Sequence, residues 1–189
     1  MNEPYAACAL PVVATGDPIE RLASLFDDHY DRLYRLARRL APSADDALDL
    51  VQETFLKAAR FPKSIPVGAT NEEAWLVRVL INIRRDQWRK TSVRDRHDKA
   101  AFGDSPSARG GGDPEAALIA RTAVWQALNV LAPRRRAIVV MFELEGLAIP
   151  AIASLLGISA ITVRWHLSMG RRDLTRALKA YMGDSNEKH

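Results

Sequence analysis

The stretch ASLLGISAITVRWHLSMGRRDL, Ala153 to Leu174, decides the fold class of this chain. An apolar run passes through a glycine into a helical pattern rich in arginine. Gly157 permits the positive φ that a tight turn between helices demands. Ser159 can cap the next helix through its hydroxyl. Ala153 offers a small side chain where two helices cross, and Ile152, Leu155, Leu156, Ile158 and Val163 are spaced to fill the core between them. This is the logic of a helix-turn-helix, whose second helix enters the DNA major groove. Ser159, Thr162, Arg164, Trp165 and His166 lie on the first turns of that helix, where base edges are reached. Arg171, Arg172, Arg176 and Lys179 follow, where phosphates are neutralised. The plainer reading is a helical hairpin with solvated arginines in any small α domain. Trp165 is then a core residue instead of a reader, although Val163 and Leu167 already define an inward face.

Apolar residues recur at helical spacing outward from this segment, and no strand alternation persists, so the chain is read as all-α. Leu22, Leu25, Phe26, His29, Leu33, Leu36 and Leu40 form one stripe, predicting a helix over residues 19–40. Ser43 is the expected N-cap of a second helix that runs to about Arg60. FPKSIPVGAT reads as a loop, and Thr70 with Glu73 as a capping box opening a third helix that reaches roughly Lys90. The segment that follows holds three consecutive glycines and few large apolar residues, the composition of a linker. Pro114 is a good first helical residue, and Leu118, Thr122, Trp125 and Leu128 share a face. Residues 134–145 predict the next helix, with Ile138, Met141 and Phe142 inward and Gly146 as its stop. A short helix over residues 150–156 and one from about Ala160 complete the pattern.

The expected division is a flexible N-terminal extension (1–17), a first helical domain (18–97), a flexible linker (98–113), a second helical domain (114–180) and a tail (181–189). With 189 residues, 48% of them hydrophobic, the chain can bury a real core, which excludes overall disorder. Lys and Arg total 27 against 23 Asp and Glu, a mild excess whose uneven distribution matters more than the sum. Cys8 is the only cysteine, so no internal disulfide forms and a reducing cytoplasm fits best. No apolar run approaches the ~20 residues needed to span a bilayer, so direct membrane insertion is not expected. The N-terminal residues lack a basic n-region and do not read as a signal peptide.

Two helices of the first domain carry opposite charge. EEAWLVRVLINIRRDQWRKTSVRDRHDK holds Arg78, Arg84, Arg85, Arg89, Lys90, Arg94, Arg96 and Lys99, with Trp75 and Trp88 interleaved. Cations attract the phosphate backbone and aromatic faces accept unstacked bases, at ~1–3 kcal/mol per base, about what unstacking one base costs. Such a helix can hold opened DNA. Trp75 is expected in the core and Trp88 toward solvent. In ADDALDLVQETFLKAAR, Ala47, Leu50, Val51 and Phe55 face inward, while Asp45, Asp49, Gln52 and Glu53 form a polar stripe. DNA repels an acidic stripe, so the stripe is either an ordinary solvated face or a docking surface for a protein partner.

Together these pieces resemble a bacterial sigma factor of the extracytoplasmic-function group, over about Ile19 to Leu178. DALDLVQETFLKA is similar to the family helix that docks on the β′ clamp helices of RNA polymerase. The resemblance implies that Asp46, Asp49, Gln52 and Glu53 contact polymerase, with Leu48 standing where the family usually has Glu. AWLVRVLINIRRDQWRK resembles the helix that reads and melts the minus-ten element. That match assigns downstream DNA to Asn82, Arg85, Asp86, Trp88, Arg89 and Lys90, helped by the loop over residues 61–71 in capturing a flipped base. ALNVLAPRRRAIVVMFELEGLAIPAIASLLGISAITVRWHL resembles region four, which reads the minus-thirty-five element and meets the β flap. This chain has Pro150 and Ala151 where the family has two acids, and Trp165 and His166 where it has Ser-Arg. The resemblance implies promoter DNA and core polymerase as partners, an anti-sigma factor as a further one, and no cofactor or small-molecule substrate.

Two other readings compete. A stand-alone helix-turn-helix regulator would bind an operator as a dimer, but no dimerising surface is legible. A recombinase would need a nucleophile beside clustered arginines. Tyr30 and Tyr34 are the nearest candidates, and they sit in a helix with an apolar stripe. No P-loop, Ser/His/Asp arrangement or Cys/His metal spacing is present, so neither catalytic residue nor metal ligand is assigned.

Overall fold

A computed structural model describes residues 17–98 and 124–186, and every regular element among them is helical. Helix α1 spans Pro18–Leu40, α2 Ala44–Arg60 and α3 Ala69–Asp98. Residues 124–129 are helical, followed by α4 (Pro133–Val139), α5 (Ile149–Leu156) and α6 (Ala160–Asn186). Local chemistry accounts for most of the starts. Asp17 accepts a hydrogen bond from the Ile19 amide at 3.0 Å, with Pro18 at the first helical position. Ser43 Oγ accepts from the Asp46 amide at 3.0 Å, the expected cap of α2.

Three expectations are corrected. The capping box at Thr70 does not form, because α3 already starts at Ala69. Gly68, at φ 101°, turns the chain, and its carbonyl accepts from the Asn71 and Glu72 amides. Glu73 is drawn away by an ion pair with Arg32 of α1. Helix α3 also runs to Asp98, past Lys90, so the residues read as the start of the linker continue the helix. The expected single helix over 134–145 instead widens into a π turn at Val140–Leu144, where the Glu145 amide donates to the Val140 carbonyl at 3.1 Å. Gly146 follows at φ 67°, the stop its residue type implies. The helix read from Pro114 lies partly outside the described residues, as do the extension, the linker and Cys8.

The bundle core contains Leu25, Leu33, Leu36 and Leu40 of α1 with Ala47, Leu50, Val51 and Phe55 of α2, as the periodicity requires. Phe26 departs from its stripe: it is half exposed, its ring against those of Tyr30 and Phe55. Leu76, Val77, Leu80, Ile81 and Ile83 are all buried, so α3 is covered on more than one side. Helices α1 and α2 cover one side, and α4 and α5 pack against another. The two helical units therefore touch. Arg32 and Arg39 of α1 reach Glu145 at 3.5 and 3.1 Å, and Arg78 of α3 lies against the Gly157 turn.

Helix α6 lies close against α4 at Gly170, a position the sequence reading did not single out. A Cβ there would stand 2.6 Å from Val139 Cγ2 and 3.3 Å from Arg135 Cγ. Gly170→Val is therefore expected to destabilise the chain by about 2–3 kcal/mol through overpacking. Gly170→Ala should lose less, since alanine regains about 1 kcal/mol of helix propensity. Thermal midpoints of both variants check this, and Val139→Ala should rescue Gly170→Ala.

Candidate nucleic-acid interface

Helices α5 and α6 meet at 107°, inside the range of helix-turn-helix pairs. Gly157 makes the turn at φ 64°, and its amide closes α5 on the Ser154 carbonyl. Ser159 Oγ accepts from the Thr162 amide at 3.1 Å and lies 2.8 Å from Thr162 Oγ1. Ile152 and Val163 have no exposed surface, and Leu156 and Leu167 have almost none. The motif is thus locked from inside, and α6 turns a defined face outward.

That face is Ile161, Arg164, Trp165, Ser168, Arg171 and Arg172, all exposed, at the three- and four-residue steps of one helical stripe. Trp165 is 54% exposed, so it is not a core residue. Arg135 of α4 lies over its ring at 5.6 Å, and His166 meets it edge-on at 4.9 Å. Ion pairing of Arg135 to Asp173, on the same helix as the tryptophan, holds the cation in place. Two residues named from sequence turn elsewhere. Thr162 is half buried, its hydroxyl at the Ser159 cap, and His166 is half buried beside Arg134 and Arg135. Arg171 is exposed but engaged, pairing with Glu143 at 2.7 Å and covering Phe142 at 5.5 Å. Arg172, Thr175, Arg176 and Lys179 join it around one shallow depression. Ile161, 75% exposed, was missed from sequence; its place four residues before Trp165 was the available signal.

Burial, then the charges of Arg135 and Arg134, push the His166 imidazolium below its ordinary range, and Nδ1 is buried without a partner among the described residues. Folding thus disfavours the protonated ring. The unfolded chain takes up the proton first as pH falls through about 6.5, so stability drops from there toward the depressed folded value. Thermal midpoints of the full chain should fall below that pH, and His166→Gln should flatten the curve over the same interval.

On α3, Asn82, Asp86 and Arg89 share a stripe, with Arg85 beside it. Asp86, Arg89 and Lys90 are exposed, Asn82 and Arg85 half buried, and Arg85 Nε lies 3.6 Å from Asp86 Oδ1. Trp75 is half buried and packs against the core, as expected, while Trp88 is also half buried, less open to solvent than its arginine neighbours suggested. Arg84 is tied inward, its Nε donating to the Leu40 carbonyl at 3.1 Å, and burial lowers its pKa against the opposing pull of Asp46. The loop before α3 exposes Phe61 and Val67, and Arg21 of α1 holds it by donating to the Ile65 and Pro66 carbonyls.

On α2, Asp45, Asp46, Asp49, Gln52 and Glu53 are all exposed. Asp46 also accepts from Ser43 Oγ at 2.6 Å, so part of its capacity goes to the cap. Leu56, 55% exposed, continues the stripe seven residues after Asp49 and was missed from sequence. Its helical position, away from Val51 and Phe55, was the signal. Tyr30 and Tyr34 stack 6.0 Å apart and pack, half buried, against the core. Among the described residues no group of three potential metal ligands occurs, and no single helix is long and apolar enough to cross a membrane.

Residues 25–94 match the family model of sigma-70 region 2, and residues 121–174 that of sigma-70 region 4. The chain is 32% identical to the ECF RNA polymerase sigma factor SigE of Mycolicibacterium smegmatis, over 91% of this chain and 68% of that protein. It is equally identical to SigL of Mycobacterium tuberculosis, over 84% of this chain and 89% of the relative. Among solved structures it resembles the sigma factor RpoE of Bartonella quintana in complex with the anti-sigma factor NepR, with TM-score 0.59, 24% identity, and 85% and 96% of the two chains covered. CnrH in complex with the cytosolic domain of CnrY matches with TM-score 0.55, at 23% identity over 86% and 90% of the chains. With region 2 followed by region 4, a helix-turn-helix presented outward and relatives aligned along most of their length, the chain belongs to the extracytoplasmic-function sigma factors, which direct RNA polymerase to promoters.

Proposed function

We propose that the chain binds core RNA polymerase through the α2 stripe of Asp46, Asp49, Gln52 and Glu53, extended by Leu56. Charge complementarity of such a stripe selects a basic or polar docking surface, the β′ clamp helices on the family pattern. Asn82, Arg85, Asp86, Trp88, Arg89 and Lys90 take the opened downstream strand, and the loop with Phe61 and Val67 captures an unstacked base. The recognition helix reads the upstream element with Arg164 and Trp165, while Arg171 and Arg172 neutralise phosphates. Ser159 and Thr162 act by shaping the helix start, and His166 by supporting Trp165. Residues 18–97 and 114–180 are the working units, the second of which also meets the β flap.

Strand opening on this account draws on base capture and polymerase contacts, and the chain itself catalyses nothing. It works in the cytoplasm. The solved relatives include sigma factors bound to anti-sigma partners, so a partner of that kind is proposed here too. The observation that carries the reading is an exposed acidic stripe on α2, while the exposed basic residues assigned to DNA lie on other helices, Arg89 and Lys90 on α3 and Arg164, Arg171 and Arg172 on α6. Nothing in the relatives favours the operator-binding dimer.

Run-off transcription with purified core polymerase on genomic fragments tests this: initiation must depend on adding the chain. In the same assay Arg164→Ala should weaken upstream-element binding by roughly 5- to 100-fold, the value of one bidentate base contact, while core polymerase is still bound. Equal damage to both steps would refute the two-surface account.

A further inference from the structure

We infer that Ile161 and Trp165 form an apolar reading edge that selects thymine methyl groups in the upstream element. The inference rests on the proposed placement of α6 in the major groove. Ile161 and Trp165 are one helical turn apart on the outward stripe, within the first two turns of the recognition helix. They are 75% and 54% exposed, while every other large apolar residue of those turns is buried or half buried. Arg164 lies beside them and Ser168 follows on the same stripe.

The chemistry of the groove narrows what such an edge can meet. Base edges in the major groove present hydrogen-bond donors and acceptors, and one apolar group, the C5 methyl of thymine. Isoleucine has no polar atom in its side chain, and the cation-stacked indole is held from one side by Arg135. Arg135 is itself anchored through Asp173, so the ring enters the groove with few rotamers to lose. The surrounding charge points to DNA over a protein partner: Arg164, Arg171, Arg172, Arg176 and Lys179 lie on the exposed side of the same helix.

The test uses the full chain with core polymerase. A promoter library with a randomised upstream element is selected for binding, and each thymine in the winning sequence is then replaced by deoxyuridine, which lacks only the methyl. At one or more positions the loss should be roughly fourfold, the worth of one buried methyl group at about 0.8 kcal/mol. The thymine-to-uracil ratio should fall to about one in Ile161→Ala or Trp165→Ala and be retained by Trp165→Phe. Because the readout is a ratio, a uniform loss of affinity in a variant does not imitate the effect, and Ile161 is too exposed for its truncation to unfold the chain. Selection of an upstream element that is indifferent to every methyl overturns the inference alone. So does a pair of variants that keep the ratio but lose binding to an anti-sigma protein, which would make the edge a protein-docking surface. Absence of any polymerase-dependent selection overturns the proposed function, and this inference with it.

Discussion

Replacing Asp49 and Glu53 together by lysine should lower association with core RNA polymerase by at least about 100-fold, and abolish run-off transcription at concentrations where the unaltered chain saturates. Both carboxylates are exposed on α2, one turn apart, on the face opposite the buried Leu50, Val51 and Phe55. Lysine is a good helix former, so the helix should survive. Each substitution turns an attraction into a repulsion, and like charges facing one another across an interface cost several kcal/mol. Two changes of about 1.4 kcal/mol each already make a factor of 100. Binding to upstream DNA without polymerase should weaken little or strengthen slightly, since the chain gains four units of positive charge. The measurements are polymerase affinity, duplex affinity and far-ultraviolet circular dichroism on the same preparation. A loss of helicity in parallel with the loss of polymerase binding would count against the docking role.

Leu80→Ala should cost about 2–5 kcal/mol of stability, a large part of the ~5–15 kcal/mol that holds a domain of this size. Leu80 has no exposed surface, and it shares a helical face with Leu76, Val77 and Arg84. Arg84 locates that face, because its Nε donates to the Leu40 carbonyl at the end of α1. The truncation thus opens a cavity where α3 meets the rest of its bundle. Chemical denaturation should show a lower midpoint, and promoter opening should fall further than duplex binding, since α3 carries the residues proposed to hold the opened strand. A Leu80→Ala chain as stable as the unaltered one would mean that the bundle relaxes into the space.

The comparison of Trp165 with Trp88 shows how much of the site was legible. Neighbours on the helix bracket Trp165: Val163 and Leu167 are inward, so position 165 turns outward, and the structure exposes it. Trp88 stands among arginines, which argued for solvent, yet it is half buried. Composition reports what surrounds a residue in the chain; burial depends on what packs from elsewhere. Thr162 and His166 follow the same rule. Both sit on the first turns, where readers were expected, and both are half buried, Thr162 with its hydroxyl at the Ser159 cap and His166 beside Arg134 and Arg135 of α4.

The all-α class, the helix-turn-helix, the caps at Ser43 and Ser159 and the turn at Gly157 were determined by the sequence alone, because each depends on chemistry within a few residues. So were the opposite charges of α2 and α3. Only the tertiary structure decided that the second helical unit packs on α3, that Glu145 joins Arg32 and Arg39, and that Gly170 lies tight against Val139 and Arg135 of α4. Glu73, expected at a cap, went to Arg32 for the same reason. These contacts join residues tens of positions apart, and no local periodicity encodes which exposed-looking face will find a partner. Helical period reveals that a face is apolar or charged; the three-dimensional packing of whole helices determines what it meets.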